Sequence, residues 1–555
     1  MAEIAGTRRP RLLSNALANY AGQLMPLVVG VALTPLIISR LGDAGFGIWT
    51  LVIALQGLGG LLDLGITRSV VKYVAAHHAA GDTPAINRVV SSSFFLHLAM
   101  GLVALAGVAA GASWGLPFLQ LSAEQVAVAR PALFLAGATL ALALPLGVLG
   151  GMLTGLQQYE RSNAVSIAQT LLTAAATVAT LAAGAGPVAL VAVNGVGLVL
   201  GGALKGLLAA RAVPGFHLSP RLAGWDTLRQ VGGYSVWLFL IDLAERIFYY
   251  ADAVLIAAFL PVSAVTAYNL GFRPASAVGY LAGPFVAVLL PAAAALQARR
   301  ASGDLQRMLG AGTRLALGLT LPGVLWLGAY GRSALEVWVG PGHEDALPVL
   351  WVFLGVFLVS AAQNPAGTLL RGVGGVRPLA GVVFAEYAAN IALSLWLIPQ
   401  VGPVGAALGT LIPAVAADVG VIPWLACRAV GARYAVFLRD SYGRPLMAAI
   451  PVVGLLAMLR AWQLPPWPAL LLGGMVTLVA YGALYGSLAA GVEETAVWKR
   501  AWARVVGGPP VAESVVPDDF SRSAVEHHHT DPQSSRPAAG NPGDPGGADG
   551  RPGNI

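Results

Sequence analysis

The sequence predicts an all-α integral membrane protein with fourteen transmembrane helices. Three observations carry that expectation. Of the 555 residues, 57% are hydrophobic and 11% charged, whereas an ordinary soluble domain carries about 25% charged residues, so a water-soluble fold has no interior large enough for the apolar surface. Long apolar runs recur from Leu12 to Ala490 with no polar stretch of domain size between them. These runs exceed the roughly 9–11 residues of a transmembrane barrel strand, and a backbone in hydrocarbon must satisfy its own hydrogen bonds, which leaves helices.

Taken in order, the apolar segments lie near 14–38, 44–66, 87–112, 127–154, 163–184, 187–210, 231–259, 264–294, 311–330, 347–370, 378–398, 403–427, 445–461 and 467–490. The first follows Arg8, Arg9 and Arg11 without an A-x-A-like cleavage site and reads as a retained helix. The seventh contains Asp242, Glu245, Arg246 and Asp252, each costly at mid-bilayer. It is nevertheless counted as a span, because only then do Lys72, Arg161, Lys205, Arg229, Arg299, Arg300, Arg371, Arg433, Arg444 and Arg500 all fall on one side, the cytoplasmic one. An even number of spans with both termini cytoplasmic follows. After Ala490 the composition turns to Pro, Gly, Ser, Asp and His, so 491–555 reads as a disordered cytoplasmic tail. His527, His528 and His529 stand there without a preorganised metal site.

The chain also repeats itself weakly. Gly151, Leu153 and Arg161 recur as Gly367, Leu369 and Arg377, and Gly186, Pro187 and Val188 recur as Gly402, Pro403 and Val404, all at an offset of 216. Ala79, Gly81 and Asp82 correspond to Ala301, Gly303 and Asp304 at an offset of 222. Every match falls at the same topological place in the two halves. The expected organisation is a pseudo-symmetric pair of six-helix lobes, 1–211 and 212–441, followed by two extra C-terminal helices in 442–490. Six spans per lobe is an even number, so the lobes enter the membrane with the same orientation, a plan typical of transporters.

On a helix of about 100° per residue, Asp242, Glu245, Arg246, Tyr249 and Asp252 share an arc of about 120°. Such a stripe faces a water-filled cavity or charged partners; the competing reading is an internal ion pair between Asp242 and Arg246. With carboxylates in excess, Asp242, Glu245 and Asp252 are candidates for binding a proton or cation. Gln363 and Asn364 precede Pro365, which frees a backbone carbonyl near them, and Glu386 lies deep in its span with Asn390 a turn away.

Several further residues carry a family likeness. Ser14-Asn15-Ala16, the turn from Leu41 to Trp49, Leu62-Asp63-Leu64-Gly65 with Lys72-Tyr73-Val74, the segment from Tyr234 to Arg273 including Ala267-Tyr268-Asn269-Leu270, and the segment from Leu369 to Arg377 together resemble the Wzx-type polysaccharide flippases of the multidrug/oligosaccharidyl-lipid/polysaccharide (MOP) exporter superfamily. The resemblance touches both halves, over roughly residues 10 to 490. It implies two six-helix lobes around a central cavity that moves a polyprenyl-diphosphate-linked oligosaccharide across the inner membrane by alternating access. It also implies membrane lipid and polysaccharide assembly enzymes as partners, with H+, Na+ or the membrane potential as energy source. Arg273, the isolated arginine of segment eight, is the position that matches basic cavity residues of related lipid flippases. Its candidate partners are the cargo diphosphate, through paired charge-assisted hydrogen bonds, or a carboxylate of segment seven. Substrate-binding candidates are thus Arg273, Arg246, Tyr249, Gln363, Asn364 and Glu386. Asp63 sits where the family carries an acidic residue in a turn, and a capping role or a pair with Arg68 is expected of it.

Other classes fit less well. The basic excess of +7 is spread over short loops, unlike a nucleic-acid binding patch. Cys427 is the single cysteine, so no internal disulfide or cysteine metal cluster forms. No phosphate-binding Gly-x-x-x-x-Gly-Lys loop and no large outer loop suggest catalysis, no cofactor is expected, and the chain reads as a transporter and not as a glycosyltransferase, ligase or assembly scaffold. Within the superfamily, a lipid II flippase and a cation-coupled multidrug exporter are the alternatives. The first carries arginines along its first helix where this chain has Asn15, Asn19 and Gln23; the second usually has twelve spans and an acidic first helix.

Overall fold

A computed structural model describes the backbone of residues 8–489, with side chains from residue 25 onward except 232–245, 247–249, 284, 287 and 288. The described residues form helices joined by short turns, with no β-strand among them. They are α1 (Arg8–Gly59), α2 (Ile66–Ala79), α3 (Thr83–Ala110), α4 (Ala123–Gly155), α5 (Tyr159–Ala182), α6 (Pro187–Ala212), α7 (Trp225–Phe259), α8 (Ser263–Gly279), α9 (Gly283–Ala298), α10 (Ser302–Val339), α11 (Ala346–Gly372), α12 (Val376–Val401), α13 (Pro403–Ala414), α14 (Ile422–Val430), α15 (Tyr434–Phe437), α16 (Arg444–Ala461) and α17 (Pro466–Leu484). The apolar segments of the sequence fall on these helices, the eighth and twelfth being divided between two each, and eleven helical stretches among the described residues are long and apolar enough to cross a membrane. The expected tail, 491–555, lies outside the described residues.

Local chemistry explains where the chain turns. The first two apolar segments share α1, which breaks at Gly42 with φ +66°, a left-handed conformation that favours glycine. A 3-10 turn over Gly60–Asp63 and left-handed Leu64 and Gly65 then end the second segment. Past that turn, α2 was not expected as a separate helix; Ile66, Val70 and Val74 recur every four residues and form its buried stripe. Asp82 caps α3 by accepting from the Ala85 amide at 2.9 Å, and Ser122 with Gln125 forms a reciprocal capping box on α4. The duplicated loops both set glycine before a first-turn proline, Gly186-Pro187 on α6 and Gly402-Pro403 on α13, where the missing N–H costs nothing, although Gly186 is extended and Gly402 has φ +71°. The third correspondence diverges, since Asp304 does not cap α10 but pairs with Arg307.

Segment eight is not one helix. It divides into α8 and α9 at a 3-10 turn, Tyr280–Ala282. Likewise α13 and α14 are joined by a π-helical stretch, Val415–Val421, which carries Asp418.

Three large cores stand out among the described residues. One, built around Val70, Val90, Val148 and Met152, belongs to α2, α3, α4 and α6, with Val231 of α7 added. A second, around Leu305, Leu369, Ala426 and Val430, belongs to the later half. The third joins them: Phe46 and Leu51 of α1 lie with Ile256 of α7, Leu270 of α8 and Phe353 of α11. Small residues set the closest approaches, as membrane helices require in the absence of a hydrophobic drive between them. A Cβ on Gly101 would lie 2.6 Å from the Ala141 carbonyl of α4, and one on Gly47 2.3 Å from the Val262 carbonyl before α8.

Candidate functional site

Two glycines of α1 make room for the central polar group of α7. A Cβ on Gly57 would fall 2.6 Å from the ring of Tyr250, and one on Gly60 2.3 Å from the guanidinium of Arg246. Both side chains therefore lie against bare backbone. Arg246 donates to the Gly57 carbonyl at 2.9 Å, where α1 is about to tighten into its 3-10 turn. Beside this contact is a cavity of about 470 Å³ whose polar lining comprises Asp63, Thr67, Arg68, Arg246 and Tyr250, with Leu140 to Gly147 of α4 as its apolar wall. Asp63 accepts from the Thr67 hydroxyl and lies 2.9 Å from Nε2 of His97, a fully buried ring in α3. Arg68 enters the same cavity from α2. Two guanidinium groups lining one cavity can seat an anion through charge-assisted hydrogen bonds.

The charged arc of α7 is divided by its neighbours. Arg246 points at α1 and the cavity, while Asp252, six residues on at the other edge of the arc, is buried against α8, α12 and α13. There Asp252 accepts from Tyr268 at 2.9 Å, and from Ser394 and Thr410 at 3.4 Å each. Ser394 and Thr410 also reach the Ala406 carbonyl, and Asn390 donates to Thr410 at 2.8 Å. No lysine, arginine or histidine pairs with this carboxylate among the described residues, so its compensation comes wholly from neutral hydroxyls. Such an all-oxygen cage suits a hard monovalent cation or a proton. The side chains of Asp242, Glu245 and Tyr249 lie outside the described residues.

Arg273 of α8 turns toward α1. It donates to the Thr34 hydroxyl and, at 3.3 Å, to the Gly30 carbonyl, with its guanidinium 5.3 Å from the Phe46 ring and 5.8 Å from that of Trp49. Its charge is spread over an aromatic and carbonyl seat on α1. Nearby, Pro35 has no N–H to offer the Val31 carbonyl one turn back, and Trp338 of α10 supplies the missing donor at 2.9 Å. Thr266 of α8 donates to the Asp43 carbonyl at 2.7 Å, and Nε2 of His343 lies 3.2 Å from the Asp43 carboxylate. The Gly42 end of α1 is thus tied shut against α8 and α10, whereas its Gly60 end borders the cavity.

The remaining candidates are scattered. Gln363 is buried in α11, Asn364 is exposed, and Glu386 is half-buried within electrostatic reach of Asp418, whose carboxylate accepts from Ser360 at 2.8 Å. Sequence reasoning missed His97, Thr67, Tyr268, Ser394 and Thr410. The one signal available was His97 itself, a histidine inside an apolar span; hydroxyls within spans are too common to single out.

A family model described as a polysaccharide biosynthesis protein matches residues 11–297. A Shigella flexneri protein named "Putative O-antigen transporter" is 21% identical over 430 residues, which cover 75% of this chain and 98% of that one. The structure of a lipid II flippase MurJ in an inward closed conformation superposes with a TM-score of 0.66 at 11% identity, covering 89% of this chain and 99% of the other. An inward-facing multidrug resistance MATE family transporter of the MOP superfamily gives 0.59 at 14% identity over 76% and 96%. At these identities the structural likenesses establish the fold alone, which this chain shares with both proteins.

Proposed function

Because this chain belongs to the polysaccharide biosynthesis protein family, we propose that it is a flippase that carries a polyprenyl-diphosphate-linked oligosaccharide across the cytoplasmic membrane by alternating access. The observation that carries this reading is the cavity in which Arg246 and Arg68 converge beside α1. A hydrated sugar attached to a diphosphate needs a polar path and a cationic seat, and arginine pairs with phosphate through two parallel hydrogen bonds. In this reading the cavity end of α1 lies at the cytoplasmic face and the Gly42 end outside, with both termini cytoplasmic, an orientation that the distribution of Lys and Arg supports. The state described is then open inward and closed outward, with α1 of lobe 1–211 held against α7, α8 and α10 of lobe 212–441.

The cage around Asp252 is the coupling site in this reading, holding a proton or a sodium ion between α7, α8, α12 and α13. A cation there bridges helices that must move together when the later lobe reorients. Arg273 anchors α8 to α1 in the inward-open state and reaches cargo only after that contact opens. Nothing in this scheme calls for bond-breaking chemistry.

The test is translocation of a lipid-linked glycan into proteoliposomes. Arg246→Ala is expected to abolish most transport while the protein remains folded, and Arg246→Lys to restore only part of it, since a point charge lacks the paired donors. Full activity in Arg246→Ala would remove the cavity from the pathway.

A further inference from the structure

His97 has no exposed surface and sits deep in α3. Its Nδ1 is 2.8 Å from the Ser93 carbonyl, which only accepts, so the proton of that bond belongs to the ring. Its Nε2 is 2.9 Å from Oδ1 of Asp63, and the same oxygen accepts from the Thr67 hydroxyl. A neutral ring protonated at Nδ1 would turn a lone pair at Nε2 toward a carboxylate oxygen. In a buried site that contact is repulsive, and a second proton converts it to a charge-assisted hydrogen bond.

We propose that Asp63 and His97 form a proton-binding site in the cavity wall, occupied as an imidazolium–carboxylate pair. Access is one-sided: the Asp63 side chain is 20% exposed and lines the cavity, while that of His97 is 0% exposed. The proton therefore enters by way of Asp63. Among the described residues, the charged or titratable groups facing the pair are Arg68 from α2 and Arg246 and Tyr250 from α7; α4 presents Leu140, Ala143, Leu144 and Gly147. Loaded, the pair is neutral. Unloaded, it carries the Asp63 charge, and the net charge of the wall becomes more negative by one. A bound anion and a bound proton then favour each other by the same factor, as linkage demands. This last step rests on the cavity being the anion seat; the proton site itself does not, and it is distinct from the cage around Asp252.

Two measurements on the full-length protein in nanodiscs test the two steps separately. With ring-15N histidine, the His97 signal is identified by its loss in His97→Asn and by its change in Asp63→Asn, so that either variant serves should the other not fold. At a pH where the wild-type ring carries protons on both nitrogens, Asp63→Asn is expected to show the neutral Nδ1–H form. A wild-type ring whose Nε2 stays bare at every pH at which the protein is folded would overturn the proposal. At the pH where the signal is half-titrated, adding inorganic pyrophosphate to weakly buffered protein is expected to draw protons from solution, and this uptake is lost in Asp63→Asn. A doubly protonated ring without such uptake would retain the proton site and refute its linkage to an anion in the cavity.

Discussion

Gly60→Ala is a one-carbon test of the cavity. The added Cβ would stand 2.3 Å from one terminal guanidinium nitrogen of Arg246 and 2.7 Å from its central carbon, against the roughly 3.5–4.0 Å of an unstrained contact. The side chain must withdraw by about 1 Å or more, and its 2.9 Å bond to the Gly57 carbonyl cannot survive such a shift. A hydrogen bond to a charged group contributes about 1.5–3 kcal/mol. Because about 1.4 kcal/mol is tenfold, pyrophosphate binding and glycan translocation should fall roughly 10- to 100-fold. Gly59→Ala supplies the control: its Cβ would be equally crowded, at 2.3 Å, but against the methyl of Leu140. The assay is translocation into proteoliposomes alongside thermal unfolding, for Gly59→Ala, Gly60→Ala, Arg246→Ala and the Gly60/Arg246 double variant. If the glycine acts through the arginine, Gly60→Ala adds little once Arg246 is gone, since residues sharing one interaction are non-additive. Fully additive losses, or equal losses in Gly59→Ala and Gly60→Ala, would refute the reasoning and reduce the effect to crowding.

Other expectations follow from single contacts. Asp252→Asn keeps a carbonyl acceptor for Tyr268 and Thr410, which share Oδ2, and leaves Ser394 the Ala406 carbonyl, but removes the charge, so the fold should persist while transport loses its dependence on a proton or sodium gradient; an unchanged gradient dependence would exclude Asp252 from coupling. Trp338→Phe leaves the Val31 carbonyl without the donor that Pro35 already denies it, weakening the closed end by about 1 kcal/mol, or about fivefold in a two-state equilibrium. The readout is labelling of a cysteine placed by Ala44→Cys in a cysteine-free background (Cys427→Ser), which should rise by that factor; unaltered labelling would show the contact to be incidental. Asp82→Ala removes the acceptor for the Ala85 amide at the start of α3 and should cost about 1 kcal/mol of stability, read as a lowered unfolding midpoint against Asp304→Ala, whose counterpart carboxylate caps nothing.

Much of this protein was legible before its helices were placed, because the bilayer acts as a solvent and selects on local composition. Long apolar runs become helices wherever the chain later packs, and the glycine–proline pairs of the duplicated loops start α6 and α13 by the chemistry of a helix end alone. Charge counts at loop ends give an orientation for the same reason. Even the pertinent charges of segment seven could be picked out, since an ionised group in hydrocarbon must have a purpose or a partner.

The partners were a different matter. Periodicity placed Arg246 and Asp252 on one arc of α7, yet the arc is wide enough for its two ends to meet different helices: one reaches the glycines of α1, the other the hydroxyls of α8, α12 and α13. Asp63 and His97 are 34 residues apart in sequence, and Arg273 and Thr34 are 239 apart. The sequence by itself determined that this is a helical membrane protein, with its segments and its expensive charges, because transfer from water to lipid depends on each residue's own chemistry. Only the tertiary structure decided which charges share a cavity and which are neutralised in a cage, because that depends on how closely two helices approach, and the approach is set by where glycines leave the backbone bare.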